Sequence, residues 1–136
     1  ATFMKRFLLD NATFTGTQTV LPGASIPMVP RNRLSIGTSV PLPHGLRAGA
    51  AGQCVGSSYF FGDEANQERK LPGYCTLDLD ASIERGAWTV SLAARNALDE
   101  GYATRGILAS YRGRLERFMV PAVGRTVSAR LRWRFK

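Results

Sequence analysis

The segment Thr126-Val-Ser-Ala-Arg-Leu-Arg-Trp-Arg-Phe135 alternates apolar and polar residues along its whole length. Successive side chains of a β-strand point to opposite faces, so this pattern predicts a strand with two dissimilar faces. A strand that crosses an outer membrane has lipid on one face, an aqueous lumen on the other, and aromatic residues at the interface. About nine to eleven tilted residues are enough to cross. The apolar face carries Val127, Ala129, Leu131, Trp133 and Phe135, and the polar face carries Thr126, Ser128, Arg130, Arg132 and Arg134.

The same alternation, less pure, recurs upstream. Between residues 74 and 83, for example, Leu77, Leu79 and Ile83 share one parity, while Asp78 and Asp80 share the other. The N-terminal stretch is the least regular. We therefore expect an all-β protein with antiparallel up-and-down strands, forming part of a transmembrane β-barrel. The six predicted strands cover residues 3–14, 34–40, 46–58, 74–83, 88–95 and 126–135.

The predicted connections alternate between short and long. Residues 41–45 and 84–86 are tight turns in which Gly or Pro supplies the backbone geometry. Residues 15–31, 59–73 and 96–124 are long and polar. Transmembrane barrels have short periplasmic turns and long extracellular loops, so the connections agree with the face pattern.

The composition leaves a second class of function open. The net charge is +8, which suits a partner such as a nucleic acid or another polyanion. The arginines, however, are divided between one strand face and the long loops, so we expect no nucleic-acid partner. The alternative is a small soluble β-sheet binding module with a basic face. In such a module Trp133 and Phe135 would point into a second sheet, whereas in a barrel they point outward.

Few residues suggest other chemistry. Cys54 and Cys75 share a parity on neighbouring predicted strands, so a cross-strand bridge is geometrically possible in an oxidising periplasm. We interpret them instead as two small apolar residues on the lipid face. His44 stands alone in a Pro-Gly turn, which argues against a Ser-His-Asp site. We expect no enzyme, no metal site and no cofactor.

Four segments, in order, resemble TonB-dependent outer-membrane receptors. The segment Leu71-Pro-Gly-Tyr-Cys-Thr-Leu-Asp-Leu-Asp-Ala-Ser82 resembles that family's "LPGY-x-x-x-DLRAS" strand opening. Val29-Pro-Arg-Asn-Arg-Leu-Ser-Ile-Gly37 resembles its "VPRHRLSLG" segment, and Asn96-Ala-Leu-Asp-Glu-Gly-Tyr-Ala-Thr104 resembles its "NLFDKRYAT" strand end. Residues 121–135 resemble its closing "PGRTV…LRYRF".

The resemblance implies a part of a larger receptor. Such receptors are barrels of about 22 strands around an N-terminal plug. They import scarce ligands, mostly ferric siderophores, and the inner-membrane TonB complex supplies the energy. Residues 1–136 would be the C-terminal part of the barrel, about its last six strands, with the plug absent. The implied location is the bacterial outer membrane, and the implied partners are membrane lipid, lipopolysaccharide, the barrel-assembly machinery and, through a missing N-terminal region, the TonB complex.

Two groups of residues are candidates for function. Basic and aromatic groups in the long loops suit an anionic iron chelate, through charge-assisted hydrogen bonds and stacking. Lipopolysaccharide phosphates or water are the alternative partners of these groups. The second group, on the last strand, would signal barrel assembly. The loop candidates are Arg69, Lys70, Tyr102, Arg105, Tyr111, Arg112, Arg114 and Arg117, and the assembly candidates are Leu131, Trp133 and Phe135.

Overall fold

The computed structural model describes residues 20–135, and in this range the chain is all-β except for a single 3-10 turn at Pro43–Gly45. Five strands form one antiparallel sheet, and two more form a hairpin. In chain order the strands are β1 (Arg33–Leu42), β2 (Leu46–Val55), β3 (Tyr74–Arg85), β4 (Trp88–Arg95), β5 (Ala103–Tyr111), β6 (Arg114–Pro121) and β7 (Thr126–Trp133). The larger sheet has the order β1-β2-β3-β4-β7, and β5 pairs with β6. The predicted strand 3–14 lies outside the described residues.

The register of the five-stranded sheet aligns the apolar parity of every strand. Directly opposed residues of an antiparallel pair point to the same face. Here apolar residues oppose apolar residues from β1 to β7, except that Thr38 lies opposite Ala50 and Arg85 lies opposite Trp88. Leu79 lies opposite Ala50 on one side and Ala94 on the other, for example. The result is one continuous apolar face, which carries Leu34, Ile36, Val40, Ala48, Ala50, Cys54, Cys75, Leu77, Leu79, Ala81, Ile83, Trp88, Val90, Leu92, Ala94, Val127, Ala129, Leu131 and Trp133.

The opposite face of the same sheet is polar. Ser82 lies opposite both Arg47 and Ser91, and Ser91 lies opposite Arg130. Acidic residues such as Asp78 and Asp80, hydroxyl residues and basic residues therefore lie on neighbouring strands of this face. The face includes Arg33, Ser35, Ser39, Arg47, Gln53, Thr76, Asp78, Asp80, Ser82, Thr89, Ser91, Arg95, Thr126, Ser128, Arg130 and Arg132.

Both predicted tight turns are present. Leu42 and Leu46 pair across the turn Pro43–Gly45, in which His44 and Gly45 have φ angles of 63° and 75°. The second turn consists of residues 86–87, between the paired residues Arg85 and Trp88. It was predicted at residues 84–86, so the observed turn begins two residues later and ends one residue later. Both short turns lie at the same end of the strands, here called the turn end. The opposite end, where β2 ends and β3 begins, is here called the loop end.

The prediction of a plain loop over residues 96–124 is wrong, because this segment contains the β5–β6 hairpin. Arg112 and Gly113 form its two-residue turn, and both have positive φ, 51° and 75°. This conformation suits the right-handed twist of a hairpin, and Asn-Gly or Asp-Gly usually provides it. Because an arginine precedes the glycine, the usual sequence mark of the turn is missing.

Residues 20–32, 56–73 and 102–122 form a compact unit, here called the loop unit. Its core consists of Phe60, Leu71 and Leu108. Phe60 covers Gly106, where a Cβ atom would lie only 2.6 Å from the ring, so the glycine permits the close approach. Residues 33–55, 74–101 and 123–135 form the second unit, which contains the five-stranded sheet. No helix in the described range is long and apolar enough to span a membrane.

Candidate ligand-binding loops and the two faces of the sheet

Asp63 organises the loop between β2 and β3. Its side chain is almost fully buried, and its carboxylate accepts hydrogen bonds from the backbone N–H groups of Gln67 (2.8 Å) and Glu68 (3.0 Å). A carboxylate that accepts two backbone N–H groups satisfies donors that would otherwise be left without partners. The turn over residues 63–68 is therefore fixed by one side chain.

Asn66 ties two segments of the loop unit together. Its side-chain oxygen accepts a hydrogen bond from the backbone N–H of Ser25, and its side-chain nitrogen donates to the Ser25 carbonyl at 2.9 Å. Arg31 then donates to the Ser25 hydroxyl at 2.9 Å. These contacts give the loop unit a defined shape around a cavity of about 350 Å³, which is lined by Val20, Ala24, Ser25, Ile26, Pro27, Phe61 and Glu64.

All eight loop candidates lie in the loop unit, although they do not form one cluster. Lys70 places its Nζ 4.8 Å from the centre of the Tyr59 ring, and Arg112 lies 5.4 Å from the Tyr111 ring. Both are cation–π distances. Arg69 and Arg105 are exposed, and the half-buried Tyr102 accepts a backbone hydrogen bond from Ala122.

The hairpin register separates Arg114 from Arg117. Arg117 lies opposite Leu108, on the face that packs into the core, and its guanidinium forms an ion pair with Glu68 at 2.7 Å. Arg114 lies opposite Tyr111 on the other face, which it shares with Arg105. Residue type alone could not separate these two arginines, because the hairpin itself was not predicted. Arg105 and Arg114 therefore lie on the face away from the core, and Arg112 lies in the turn that joins the two strands.

A turn after β4 explains the segment that resembles "NLFDKRYAT". Asn96 is buried, and its side chain closes the turn in both directions: it donates to the Glu100 carbonyl at 2.9 Å and accepts from the Glu100 N–H at 3.0 Å. Asp78 of β3 accepts a hydrogen bond from the Asn96 backbone, and Asp99 accepts one from the N–H of Arg125, just before β7. The turn therefore joins three strands of the sheet. We did not single out Asn96 and Asp99 in the sequence, although their motif was the available signal.

The polar face of the sheet carries local ion pairs. Arg95 contacts Asp78 at 2.8 Å, and Arg134 contacts Glu84 at 3.5 Å. Among residues 20–135, Arg130 and Arg132 take part in no ion pair. The nearby carboxylate of Asp78 is paired with Arg95.

The three assembly candidates lie on the apolar side of the sheet, and their side chains are exposed. Leu131 is 64% exposed and Phe135 is 79% exposed. Trp133 stacks on Trp88 with ring centres 4.6 Å apart, and Phe135 stacks on Trp133 at 4.8 Å. The aromatic residues thus form a row at the turn end. The exposure of Trp133 and Phe135 agrees with a barrel, in which they point outward, and not with a soluble module, in which they would point into a second sheet.

Cys54 and Cys75 form a disulfide bond, so our interpretation of them as two free apolar residues is wrong. They are a direct register pair of β2 and β3, with Cα atoms 4.1 Å apart. Parity alone placed them on one face, but only the register shows that they lie opposite each other. The bond closes the loop end of the sheet between these two strands.

No protein-family model matches the chain, and no curated protein does. Among solved structures, the chain is similar to the ferric yersiniabactin uptake receptor FyuA from Yersinia pestis, with a TM-score of 0.62 and 26% sequence identity. The similarity covers 81% of this chain and 17% of that receptor. Within residues 20–135, no group of His, Cys, Asp and Glu side chains could hold a metal ion. By its motifs and its fold, this chain is similar to a segment of the β-barrel of TonB-dependent outer-membrane receptors.

Proposed function

We propose that the chain is the C-terminal part of the barrel of a bacterial outer-membrane receptor that imports a ferric siderophore. The observation that carries this proposal is the apolar face that runs without interruption across five strands, backed by a polar face. Ile36 and Val127 are each 74% exposed on that apolar face. In water such a surface is unfavourable by about 25 cal/mol per Å², whereas lipid chains match it.

The open edges of the sheet support a larger assembly. The outer edges of β1 and β7 have no partner strand within the described residues. In hydrocarbon each unsatisfied backbone group costs several kcal/mol, so strands cross a lipid bilayer only in closed barrels. Further strands of the receptor would pair with both edges. The plug and the region that contacts the TonB complex would belong to those missing parts.

The loop unit supplies groups suited to an anionic iron chelate. Arg105 and Arg114 lie on the hairpin face away from the core, Arg112 lies in the turn, and Tyr111 stands beside Arg112 and Arg114. Guanidinium groups form short, charge-assisted hydrogen bonds with the carboxylate or phenolate oxygens of such a ligand. Arg117 differs because Glu68 already neutralises its charge.

The experiment is uptake of radiolabelled iron by iron-starved cells that carry the full receptor. We expect loss of the receptor to abolish uptake of at least one ferric siderophore, and loss of the TonB complex to have the same effect. Unchanged uptake of every ferric chelate tested, with the receptor present in the outer membrane, would contradict the proposed ligand class.

A paired set of variants tests the loop residues. We expect the double change Arg112→Ala and Arg114→Ala to lower the apparent affinity for an anionic chelate about tenfold while the surface level stays normal. Arg117→Ala is the matched control, because it removes the same charge from a residue that is paired with Glu68. Equal effects of the double change and the control would show that general charge, rather than direct contact, governs binding.

A further inference from the structure

The disulfide lies on the lipid-facing side of the sheet. Cys54 lies opposite Leu34, which is on the apolar face. Cys75 is two residues from Leu77 on β3 and therefore points to the same face as Leu77. Both cysteines thus belong to the apolar face. They also lie at the loop end, whereas the Trp88–Trp133 pair lies at the turn end. The bond is thus at one margin of the apolar face, and the aromatic row is at the other.

The distance between these margins matches the thickness of a membrane. Cys75 and Arg85, the strand partner of Trp88, are separated along β3 by ten residues, from 75 to 85. At about 3.3 Å per residue this is about 33 Å along the strand. With a tilt of about 40°, the separation across the bilayer is about 25 Å, the height of the lipid-facing band. Because short turns of such barrels face the periplasm, the disulfide would lie at the outer margin.

A periplasmic enzyme could not reach the sulfur atoms in that position. Thiol–disulfide exchange requires direct contact between the attacking and the attacked sulfur atoms. We propose that the Cys54–Cys75 bond is made in the periplasm by a protein disulfide oxidant, on a β2–β3 hairpin that has already paired, before this sheet enters the membrane. This inference rests on the proposed outer-membrane location.

The reaction is two successive exchanges. The thiolate of one cysteine attacks the disulfide of the oxidant, which gives a mixed disulfide and releases one thiolate of the oxidant. The second cysteine, as its thiolate, then attacks the sulfur of the first, and the second thiolate of the oxidant leaves. Overall, the two cysteines lose two electrons and two protons, and the oxidant is reduced from a disulfide to a dithiol.

The exchange also requires the correct register. A slip by one residue would move one cysteine to the polar face, and a slip by two would separate the pair beyond the reach of a disulfide, which needs Cα atoms within about 7 Å. Cys54 and Cys75 meet this requirement only when opposed as in the sheet, with Cα atoms 4.1 Å apart. On this proposal, the bond forms only after β2 and β3 have paired in their final register, and before the sheet enters the membrane.

The test uses cells that make the full receptor and in which the periplasmic thiol oxidant can be switched on. The receptor is first made without the oxidant, and its outer-membrane fraction is isolated to establish the location. The oxidant is then restored while receptor synthesis is stopped. A maleimide reagent adds a fixed mass to each free thiol, so the mass shift of the receptor gives the number of reduced cysteines. The receptor with Cys54→Ser and Cys75→Ser lacks this pair and shows which part of the shift comes from it.

We expect receptor that is already inserted to keep both thiols free, while receptor made after restoration acquires the bond before it becomes resistant to protease. Copper phenanthroline, a small lipid-soluble oxidant, should close the bond in inserted receptor and so show that the thiols remain opposed. Closure by the restored protein oxidant in inserted receptor would overturn the inference. Failure of copper phenanthroline would also overturn it, and absence from the outer membrane would instead overturn the proposed function.

Discussion

In the five-stranded sheet none of the described large apolar side chains is buried, whereas the loop unit buries Phe60, Leu71 and Leu108 in a small core and leaves others, such as Phe61 and Phe118, about half exposed. Val127 of the sheet is 74% exposed, and Phe60 of the loop unit is 2% exposed. The two regions belong to one chain and have similar β-structure. The difference is expected if, as proposed, the apolar face of the sheet contacts lipid, while the small core of the loop unit is shielded from water.

The regions also differ in how their polar groups are used. In the sheet, polar side chains occupy a whole face, and buried polar residues are confined to its ends, as with Asn96. In the loop unit, the buried Asp63 satisfies backbone donors near a small apolar core. A segment with so little apolar area depends on such hydrogen bonds for a defined shape. The comparison can be tested by changes that affect one region and spare the other.

The largest effect is expected from a charge on the lipid face of β7. Leu131→Arg in the full receptor would place a guanidinium inside the lipid-facing band, two residues from the aromatic row, where a charge costs up to about 2–4 kcal/mol. We expect a severe loss of folded receptor at the cell surface, measured by surface labelling. The control is Arg132→Ala, one residue away on the polar face, opposite Thr89.

Arg132→Ala should leave the surface level close to normal, because it exchanges one group that faces water or protein for another. If Arg132→Ala abolished assembly and Leu131→Arg left it intact, the lipid and lumen faces of the sheet would be reversed. The same outcome would remove the main support for the membrane proposal.

The next effect is expected from the disulfide. Cys54 and Cys75 are 21 residues apart, and a bond that closes a loop of this size stabilises by about 3 kcal/mol in the chain-entropy account. We expect the double change to serine to lower the denaturation midpoint of the full receptor in detergent. Reduction of the unchanged receptor should reproduce most of the shift. A midpoint unaffected by both treatments would show that the bond does not constrain the unfolded chain.

Much of the sheet could be predicted from its sequence because one apolar face and one polar face impose a strict period of two. Residues 126–135 show the period almost without error, and the structure confirms a strand over Thr126–Trp133 with these two faces. The motif resemblance has a related basis, since Asn96 and Asp99 hold a turn that joins β3, β4 and β7. Local pattern and local geometry agree there.

The loop unit could not be predicted in the same way, because its contacts join segments that are distant in sequence. Ser25 and Asn66 are 41 residues apart, and Glu68 and Arg117 are 49 apart. An alternation of apolar and polar residues does not predict contacts between such distant residues. The β5–β6 hairpin was missed because Arg112 stands where a turn of this kind usually has Asn or Asp. The loop candidates were found as residue types, and only the fold divides them into paired and exposed groups.

A smaller effect is expected from Asp63, and it should stay in the loop unit. Asp63→Ala removes the acceptor of two backbone hydrogen bonds, and leaving such donors unsatisfied costs about 1–3 kcal/mol. We expect faster hydrogen exchange of the Gln67 and Glu68 amides, with an unchanged denaturation midpoint for the barrel. The neighbouring change Glu64→Gln is the control. A lower midpoint for the whole barrel would mean that the loop unit and the sheet unfold together.

The smallest effect is expected from the aromatic row at the turn end. Trp133→Leu keeps an apolar side chain against lipid but removes the ring contacts with Trp88 and Phe135, at 4.6 and 4.8 Å. Each aromatic pair contributes about 0.5–1.5 kcal/mol beyond its buried area, so the midpoint should fall modestly while assembly continues. The near-ultraviolet circular dichroism of the Trp88–Trp133 pair should disappear, and Val127→Leu, on the same face of the same strand, should leave it intact. A normal spectrum in the Trp133→Leu receptor would show that the rings do not stack. Assembly lost as completely as in Leu131→Arg would mean that the aromatic row serves as an assembly signal, beyond its contribution to stability at the interface.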